Sequence, residues 1–249
     1  MRVAAIMPIY NTCVEWQQDA INALANQYGL GDAFDLEVIR VFREDSPGEH
    51  PRVDSHLPVT DISFQFDEDR PTPIEQCAVG MKCAEEKAVD YMFCLSSNDV
   101  YELDYVGLCL QTEKPVAYGD IGLCDDGMIH NRMVGTPHKY DPAMIALRTR
   151  NLSNQLPDSA LISMDVYREI GFSTLFHRNS FHAFWIKIWE KYGSDHFSHI
   201  GKPGFWMRGH DYHDSLPGRD QYMKDGSERV AVFLFSRKWV EEINMKGGL

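Results

Sequence analysis

The amino-acid sequence predicts a single α/β domain with a mostly parallel central sheet. Its 249 residues fit the range of roughly 100–250 residues that one such domain occupies. Apolar residues make up 44% of the chain and charged residues 24%, which is the composition of a folded globular domain. Short apolar runs alternate with helical stripes through the first half, and strands joined through a helix run parallel.

The first half of the chain carries the clearest elements. A fully apolar run at residues 3–7 predicts a strand buried on both faces, and Pro8–Thr12 predicts the turn after it. A helix follows that ends at Gly29 and Gly31, and its apolar face consists of Ile21, Leu24, Ala25 and Tyr28. The patterns further along predict strands at residues 36–42, 61–66 and 89–95, with helices at residues 74–88 and 100–111.

The second half is less regular. A strand at residues 116–119 is followed by the turn signal Asp125-Asp126-Gly127, which predicts a hairpin. A helix ending at Gly193 is predicted by the apolar stripe Phe181, Phe184, Trp185, Ile188, Trp189 and Tyr192. Composition predicts an irregular segment at residues 201–218 and helices at residues 142–150 and 227–240. We expect residues 1–220 to form the domain and residues 221–249 a helical extension packed on it.

The chain is strongly acidic. It has 37 Asp and Glu against 24 Lys and Arg, which gives a formal net charge of −13. Such a field repels phosphate backbones and anionic lipid surfaces at long range. The charge therefore argues against nucleic acid or a membrane as the main partner, although a local basic groove or a bound divalent cation could still hold an anionic substrate.

The cysteines and the apolar segments indicate a reducing compartment. None of the six cysteines forms a C-x-x-C pair, so we interpret them as buried thiols rather than as a disulfide frame or a zinc site. No stretch approaches the ~20 apolar residues of a membrane span, and the apolar start of the chain is too short for a signal peptide. We expect a cytoplasmic protein without a transmembrane segment.

Three predicted strand ends are polar, at Pro8–Asn11, Glu44–Ser46 and Ser96–Asp99. The carboxyl ends of parallel strands meet at one edge of the sheet, and ligands of open α/β sheets bind there. The sequence therefore predicts one site assembled from three distant segments. Polar residues also end strands that bind nothing, and this alternative stays open.

Four residues carry candidate chemistry. A carboxylate such as Asp99 can hold a divalent cation, although Asn98 or Asp99 could instead cap the next helix. Arg208 and His210, in a segment rich in glycine and histidine, could contact a diphosphate or a metal, or lie in an exposed loop. His182 can act as a general base near neutral pH, or be a packing residue at the start of its helix.

The order of these segments resembles that of the family-2 glycosyltransferases, which have the GT-A nucleotide-sugar fold. The run from Ile6 to Asn11 resembles the opening strand and turn of the family, and the helix that leads to Gln27 resembles its first helix. Further matches are the strand before Glu44-Asp45-Ser46, the stretch Tyr91–Asp99, Tyr118-Gly119-Asp120 with the turn after it, the stretch Asn151–Phe172, and Arg208-x-His210. The resemblance implies a GT-A fold with a small antiparallel hairpin over residues 3–215.

The resemblance also implies an enzyme that moves a sugar from a nucleotide-diphosphate sugar to an acceptor hydroxyl with inversion. The residues expected to contact the nucleotide-sugar are Pro8, Tyr10, Asn11, Glu44, Asp45, Ser97, Asn98 and Arg208. Asp99 and His210 would hold Mg²⁺ or Mn²⁺, which serves as a Lewis acid for the departing diphosphate. Trp185 and Trp206 are candidate walls on the acceptor side, although core packing is the simpler interpretation of Trp185.

Two departures from the family pattern qualify this expectation. The family commonly has Asp-x-Asp-Asp after a leucine, whereas Leu95 is followed here by Ser96-Ser97-Asn98-Asp99, so only the last acid remains. The base of the family is usually the aspartate of a Glu-Asp pair about three turns before a glycine. Counting back from Gly193 leads to Phe181-His182, which makes His182 the candidate base, unless the base lies elsewhere.

Two other functions remain open on the sequence. A catalytically degenerate nucleotide-sugar-binding protein is consistent with the missing acids. A nucleotidyltransferase would be another α/β nucleotide-binding enzyme, but Asn11-Thr12-Cys13 lacks the glycine-rich, basic loop that such enzymes use. A saccharide is the favoured acceptor, and a protein or a nucleic-acid base is also compatible with the chain.

Overall fold

The computed structural model describes residues 1–9, 14–43, 52–65, 73–97, 99–125, 128–134, 156–175 and 180–208. Side chains are described within these ranges except at residues 123–125, 128–134, 207 and 208. The elements in chain order are β1 (Arg2–Ile9), α1 (Val14–Ala25), β2 (Asp35–Arg43), β3 (Val59–Phe64), α2 (Pro73–Glu86), β4 (Tyr91–Cys94), β5 (Val100–Tyr101), α3 (Tyr105–Gln111), β6 (Val116–Asp125), β7 (Met128–Val134), β8 (Leu161–Ser163), α4 (Met164–Ile170), α5 (Ser180–Tyr192) and β9 (Phe197–Arg208).

The strands form one mixed sheet in the order β3-β2-β1-β4-β8-β6-β9-β5, with β7 paired to β6. Strands β3, β2, β1 and β4 run parallel, and so do β6 and β9. Strand β8 lies antiparallel between β4 and β6, so β4 and β6 point the same way. The carboxyl ends of β1, β2, β4, β6 and β9 therefore lie at the same edge of the sheet.

Apolar clusters cover both faces of the sheet. In β1, Ala4 and Ile6 face a cluster that includes residues of α2, α4 and α5. Val3, Ala5 and Met7 face the other cluster, which includes residues of α1 and α3. The continuous apolar run at the start of the chain is thus the pattern of a strand covered on both sides.

The structure confirms most elements predicted for the first half, and it lengthens the first strand. The turn predicted at Pro8–Thr12 is wrong in its first two residues, because β1 continues through Pro8 to Ile9. The Ile6 carbonyl accepts a hydrogen bond from the Leu95 amide, so Pro8, two positions on, faces the side where pairing with β4 has ended. The missing N–H of Pro8 therefore costs no bond of the sheet.

Two predicted segments have a different structure. The helix expected at residues 100–111 is a two-residue strand, β5, followed by the short helix α3. The segment 201–218 was expected to be irregular, but its first eight residues belong to β9. Tyr28 also lies beyond the end of α1 and is 65% exposed, so it is not part of the buried helical face.

The hairpin and the aromatic helix are confirmed. Strands β6 and β7 pair antiparallel with Asp125 opposite Met128, and α5 spans the stripe that ends at Tyr192. Cys77, Cys83, Cys94 and Cys109 are free thiols. The described part of the chain contains no helix long and apolar enough to span a membrane. The helices expected at residues 142–150 and 227–240, and the extension at residues 221–249, lie outside the described residues.

Candidate active site at the carboxyl edge of the sheet

The edge where β2, β1 and β4 end side by side is the candidate site. Tyr10 and Asn11 follow the last residue of β1, and Glu44 and Asp45 follow the last residue of β2. These four residues lie outside the described residues, but the strands that lead to them are neighbours in the sheet. Pro8 itself is a half-buried residue at this edge, opposite Val41.

Gln76 of α2 fixes the ends of β1 and β2 relative to each other. Its side-chain amide donates one hydrogen bond to the Ile9 carbonyl at 2.9 Å and another to the Val41 carbonyl at 2.7 Å. The side chain is 1% exposed, so these bonds form away from bulk water. Gln76 was not predicted from the sequence, because it lies outside the helical face that Ile74, Cys77 and Met81 mark.

Ser97 and Asp99 lie in the tight connection between β4 and β5. The Asp99 amide donates to the Ser96 carbonyl at 3.5 Å, and the two side chains are buried at 4% and 5% exposure. Asn98, between them, lies outside the described residues. This connection follows β4 directly, so it is at the same edge as the ends of β1 and β2.

Strand pairing brings Arg208 to this connection. Val100, the residue after Asp99, pairs with Trp206, and Arg208 is two residues further along β9. Because the pairing is antiparallel, the chain before Val100 and the chain after Trp206 run beside each other. The backbones of Asp99 and Arg208 therefore converge, whereas His210 lies outside the described residues.

A buried aromatic cluster supports the connection from below. Tyr101 and Tyr105 pack against Phe93, and the Tyr105 hydroxyl donates to the Ser159 carbonyl at 2.6 Å. Burial raises the pKa of both tyrosines well above its usual value, and the Asp99 carboxylate adds to this for Tyr101. Both phenols therefore stay protonated at neutral pH, and the Tyr105 hydroxyl acts as a hydrogen-bond donor.

The Trp206 ring packs against Gly122 of β6. A Cβ atom on Gly122 would lie 2.0 Å from the Trp206 ring, so only glycine fits beneath it. The indole nitrogen of Trp206 donates to the Glu102 carboxylate at 2.6 Å. At 8% exposure, Trp206 is mostly a packing residue beside Asp99. Trp185, at 0% exposure, is a core residue, as its simpler interpretation predicted.

His182 lies in the first turn of α5 and is 1% exposed. Burial lowers its pKa to about 4, so the imidazole is neutral at pH 7. Its Nδ1 atom has no hydrogen-bond partner within the described ranges, and the same holds there for Ser180 Oγ and Trp185 Nε1. A neutral histidine can accept a proton, but in this structure little of His182 is open to an acceptor.

A histidine of β9 and an aspartate of β6 form a pair that was not predicted from the sequence. His199 Nε2 lies 2.8 Å from Asp120 Oδ1, and the Gly201 amide donates to His199 Nδ1 at 3.0 Å. The Tyr118 ring meets the imidazole edge to face at 5.3 Å. Asp120 belongs to the segment that resembles the family hairpin, and nothing local in the sequence connects it to a histidine 79 residues away.

Asp99 is the described carboxylate at this edge that could bind a divalent cation. No group of three or more His, Cys, Asp or Glu that could hold a metal is present among the described residues. Mg²⁺ is commonly bound by one or two carboxylates together with substrate phosphates and water, and Asp99 at the strand edge meets that minimum. The donor set therefore fits a cation that arrives with a diphosphate, rather than one held by the protein alone.

Comparisons with known proteins identify the fold. The chain matches no protein-family model and no curated protein. Among solved structures, S. aureus TarS 1–349 in complex with UDP-GlcNAc superposes with a TM-score of 0.57 and 14% identity, over 90% of this chain and 64% of that one. A longer S. aureus TarS structure gives a TM-score of 0.54 at 14% identity, over 84% of this chain and 37% of that one.

A second glycosyltransferase shares the architecture. Glucosyl-3-phosphoglycerate synthase from Mycobacterium tuberculosis, in complex with Mg²⁺ and UDP, gives a TM-score of 0.54 at 10% identity, over 85% of this chain and 73% of that one. The chain thus has the GT-A glycosyltransferase fold, as the sequence predicted. It spans about two thirds or less of the length of the two TarS structures, at 64% and 37%.

Proposed function

We propose that the chain transfers a sugar from a nucleotide-diphosphate sugar to an acceptor hydroxyl. The observation that carries this proposal is the convergence of the ends of β1, β2 and β4 with Asp99 and the end of β9 at one edge. Ligands of open α/β sheets bind at that edge. The GT-A fold supports the same assignment, because two of the similar solved structures are complexes with UDP-GlcNAc or with Mg²⁺ and UDP.

The donor half of the site uses the connections after β1, β2 and β4. In this proposal Pro8, Tyr10, Asn11, Glu44 and Asp45 bind the nucleoside. Ser97, Asn98 and the Arg208 guanidinium contact the diphosphate, since hydroxyls, amides and a planar cation suit phosphate oxygens.

Asp99, with His210, would hold Mg²⁺ or Mn²⁺ at the diphosphate. When bound, such a cation supplies Lewis-acid stabilisation of the charge that develops on the leaving group. The Asp99 carboxylate lies close enough to the buried Tyr101 hydroxyl for its charge to raise the pKa of that phenol.

The acceptor half must supply a base. We propose inversion: the acceptor oxygen attacks the anomeric carbon as the bond to the diphosphate breaks, and a base takes the hydroxyl proton. His182 is the base that the family spacing indicates, and its imidazole is neutral and able to accept. At 1% exposure it can reach a hydroxyl only if the start of α5 moves.

A non-catalytic nucleotide-sugar-binding protein is the second candidate. It is favoured by Ser96 and Ser97, which stand where the family has acids, and by the burial of His182. It predicts that a donor binds and that no product forms with water or any acceptor.

A thermal-shift screen tests the proposal and separates it from the second candidate. The chain is melted with UDP-GlcNAc, UDP-glucose and UDP, each with Mn²⁺ or with EDTA. A ligand at 100 times its Kd stabilises the fold by about 2.7 kcal/mol, which is roughly 5–11 °C for a domain of this size.

Stabilisation by a nucleotide-sugar, together with slow release of UDP from it, is the expected result. Binding without release of UDP would favour the non-catalytic protein. No shift with any nucleotide at millimolar concentration would contradict both. Asp99→Ala should abolish the part of the shift that depends on Mn²⁺, and Asp165→Ala, on the exposed first turn of α4, is the matched control.

A further inference from the structure

The His199–Asp120 pair lies at the same edge of the sheet as the donor site. Met92 of β4 and Val116 of β6 are both paired with Ile162 of β8, so these three residues are level across the sheet. Four residues further on, β4 reaches Ser96 and β6 reaches Asp120. Asp120 is therefore level with the start of the connection that carries Asp99.

The distance between the two positions suits a sugar. One strand, β8, separates β4 from β6 in the sheet order, and neighbouring strands lie about 4.8 Å apart. Ser96 and Asp120 are thus roughly 10 Å apart across the edge. That separation is the length of a sugar ring together with an attacking hydroxyl.

The hydrogen bonds fix which atom of the histidine carries the proton. Nδ1 accepts from the Gly201 amide, so in the neutral ring Nε2 carries the hydrogen and donates it to Asp120 Oδ1. His199 is therefore a donor toward Asp120, and it is not arranged to receive a proton from it. Asp120 is therefore the acceptor in this pair.

The two side chains of the pair also differ in their exposure to solvent. The His199 side chain is 1% exposed, with Tyr118 against its ring, whereas the Asp120 side chain is 20% exposed. Both ring nitrogens of the histidine are hydrogen-bonded, and its ring packs against Tyr118. The aspartate is held by that histidine and still reaches solvent, which His182 at 1% exposure does not.

We propose that Asp120 is the general base of the sugar transfer and that His199 is the positioning residue that orients its carboxylate. This inference rests on the proposed function. The acceptor O–H proton moves to an Asp120 oxygen while the acceptor oxygen bonds to the anomeric carbon. The bond from that carbon to the diphosphate oxygen breaks, and its electron pair leaves with the nucleoside diphosphate. His199 keeps its Nε2 hydrogen throughout.

The test compares variants of the pair with matched variants at the opposite edge. Asp120→Asn removes the base, His199→Phe removes the donor, and His199→Gln keeps an amide N–H near the Nε2 position. The controls are Asp165→Asn and His196→Gln. Asp165 follows β8 next to the amino end of β4, and His196 precedes β9, so both lie away from the carboxyl edge.

Turnover is measured as release of UDP from UDP-GlcNAc and from UDP-glucose with water as acceptor, and donor Kd is measured by calorimetry. Asp120→Asn should lower kcat by about 100-fold or more, the usual contribution of a general base, with donor Kd changed less than about twofold. His199→Phe should lower kcat by about 10-fold, and His199→Gln should restore most of it. Thermal melting checks that each variant is folded.

Every other outcome contradicts the base, the positioning residue or the proposed function. If folded Asp120→Asn keeps wild-type kcat, Asp120 is not the base, and the same measurement on His182→Gln then tests His182. If His199→Gln and His199→Phe fall equally with unchanged stability, the positioning role is wrong. If the wild type binds both donors without releasing UDP, the base assignment fails. If the wild type binds neither, the proposed function fails first.

Discussion

Replacing Gln76 by leucine should destabilise the domain and weaken nucleotide binding together. The change removes two buried hydrogen bonds, to the carbonyls of Ile9 and Val41, at 2.9 and 2.7 Å. Each such bond contributes about 0.5–1.5 kcal/mol, and a buried carbonyl left without a partner costs about 1–3 kcal/mol. Allowing for the apolar gain of leucine, we expect a loss of roughly 2–4 kcal/mol in the free energy of unfolding.

Urea denaturation measures the first effect and calorimetry with UDP-GlcNAc the second. The binding effect follows from position, because the freed strand ends lead directly to Tyr10, Asn11, Glu44 and Asp45. A loss of about 2–4 kcal/mol corresponds to a fall of roughly 5–15 °C in Tm for a chain of this size.

Gln18→Leu is the control for this experiment. Its amide also donates to a backbone carbonyl, that of Asp54 at 2.7 Å, but this bond is exposed and water can replace the donor. We expect a loss of about 0.5 kcal/mol or less. Equal stability of the Gln76 and Gln18 variants would refute the role assigned to Gln76.

Two further predictions concern packing and pH. Gly122→Ala should destabilise the fold by about 1–3 kcal/mol in urea denaturation, since its Cβ would lie 2.0 Å from the Trp206 ring; a neutral effect would mean that the indole is not seated there. The pKa of His182 is about 4 in the folded chain and 6.5 in the unfolded chain, so the unfolded chain binds a proton first as pH falls. The free energy of unfolding is therefore unaffected by His182 above pH 6.5 and decreases as pH falls toward 4. The loss is about 3 kcal/mol, and His182→Leu should remove that part of the pH dependence of unfolding; an unchanged profile would show that His182 titrates normally.

The first half of the fold was predictable because its local patterns and its tertiary environment agree. The run before Pro8 is apolar at every position, and β1 is covered on both faces. The stripe at Ile74, Cys77 and Met81 is buried in α2 as its spacing predicts. The edge that these strands form follows from the order of strands and helices alone.

Strand β9 was not predictable from its own residues. Gly201, Pro203 and Gly204 break any local strand pattern, and Gly201 has φ of 77°. The strand forms because it pairs in parallel with β6. Residue 204 is glycine there because the Tyr105 ring lies where a Cβ atom would be. The His199–Asp120 pair depends on that pairing, so no sequence motif of either strand could reveal it.

The sequence predicted that Asp99 follows a buried strand, but it did not predict the strand β5 that comes next. A cap for a helix beginning at Val100 was the simpler alternative, but Val100 and Tyr101 pair with β9 instead. The strand is favoured over a helix at Tyr101 because it stacks that ring on Phe205, with the ring centroids 5.5 Å apart.

A crystal structure of the chain grown with UDP and Mn²⁺, read through the anomalous signal of manganese, tests most directly whether the carboxyl edge is the nucleotide site. We predict one manganese peak beside the Asp99 carboxylate, with the diphosphate next to it across the ends of β1, β2 and β4. Nucleotide bound on another surface, or manganese away from Asp99 with UDP present, would contradict the site on which every functional step above depends.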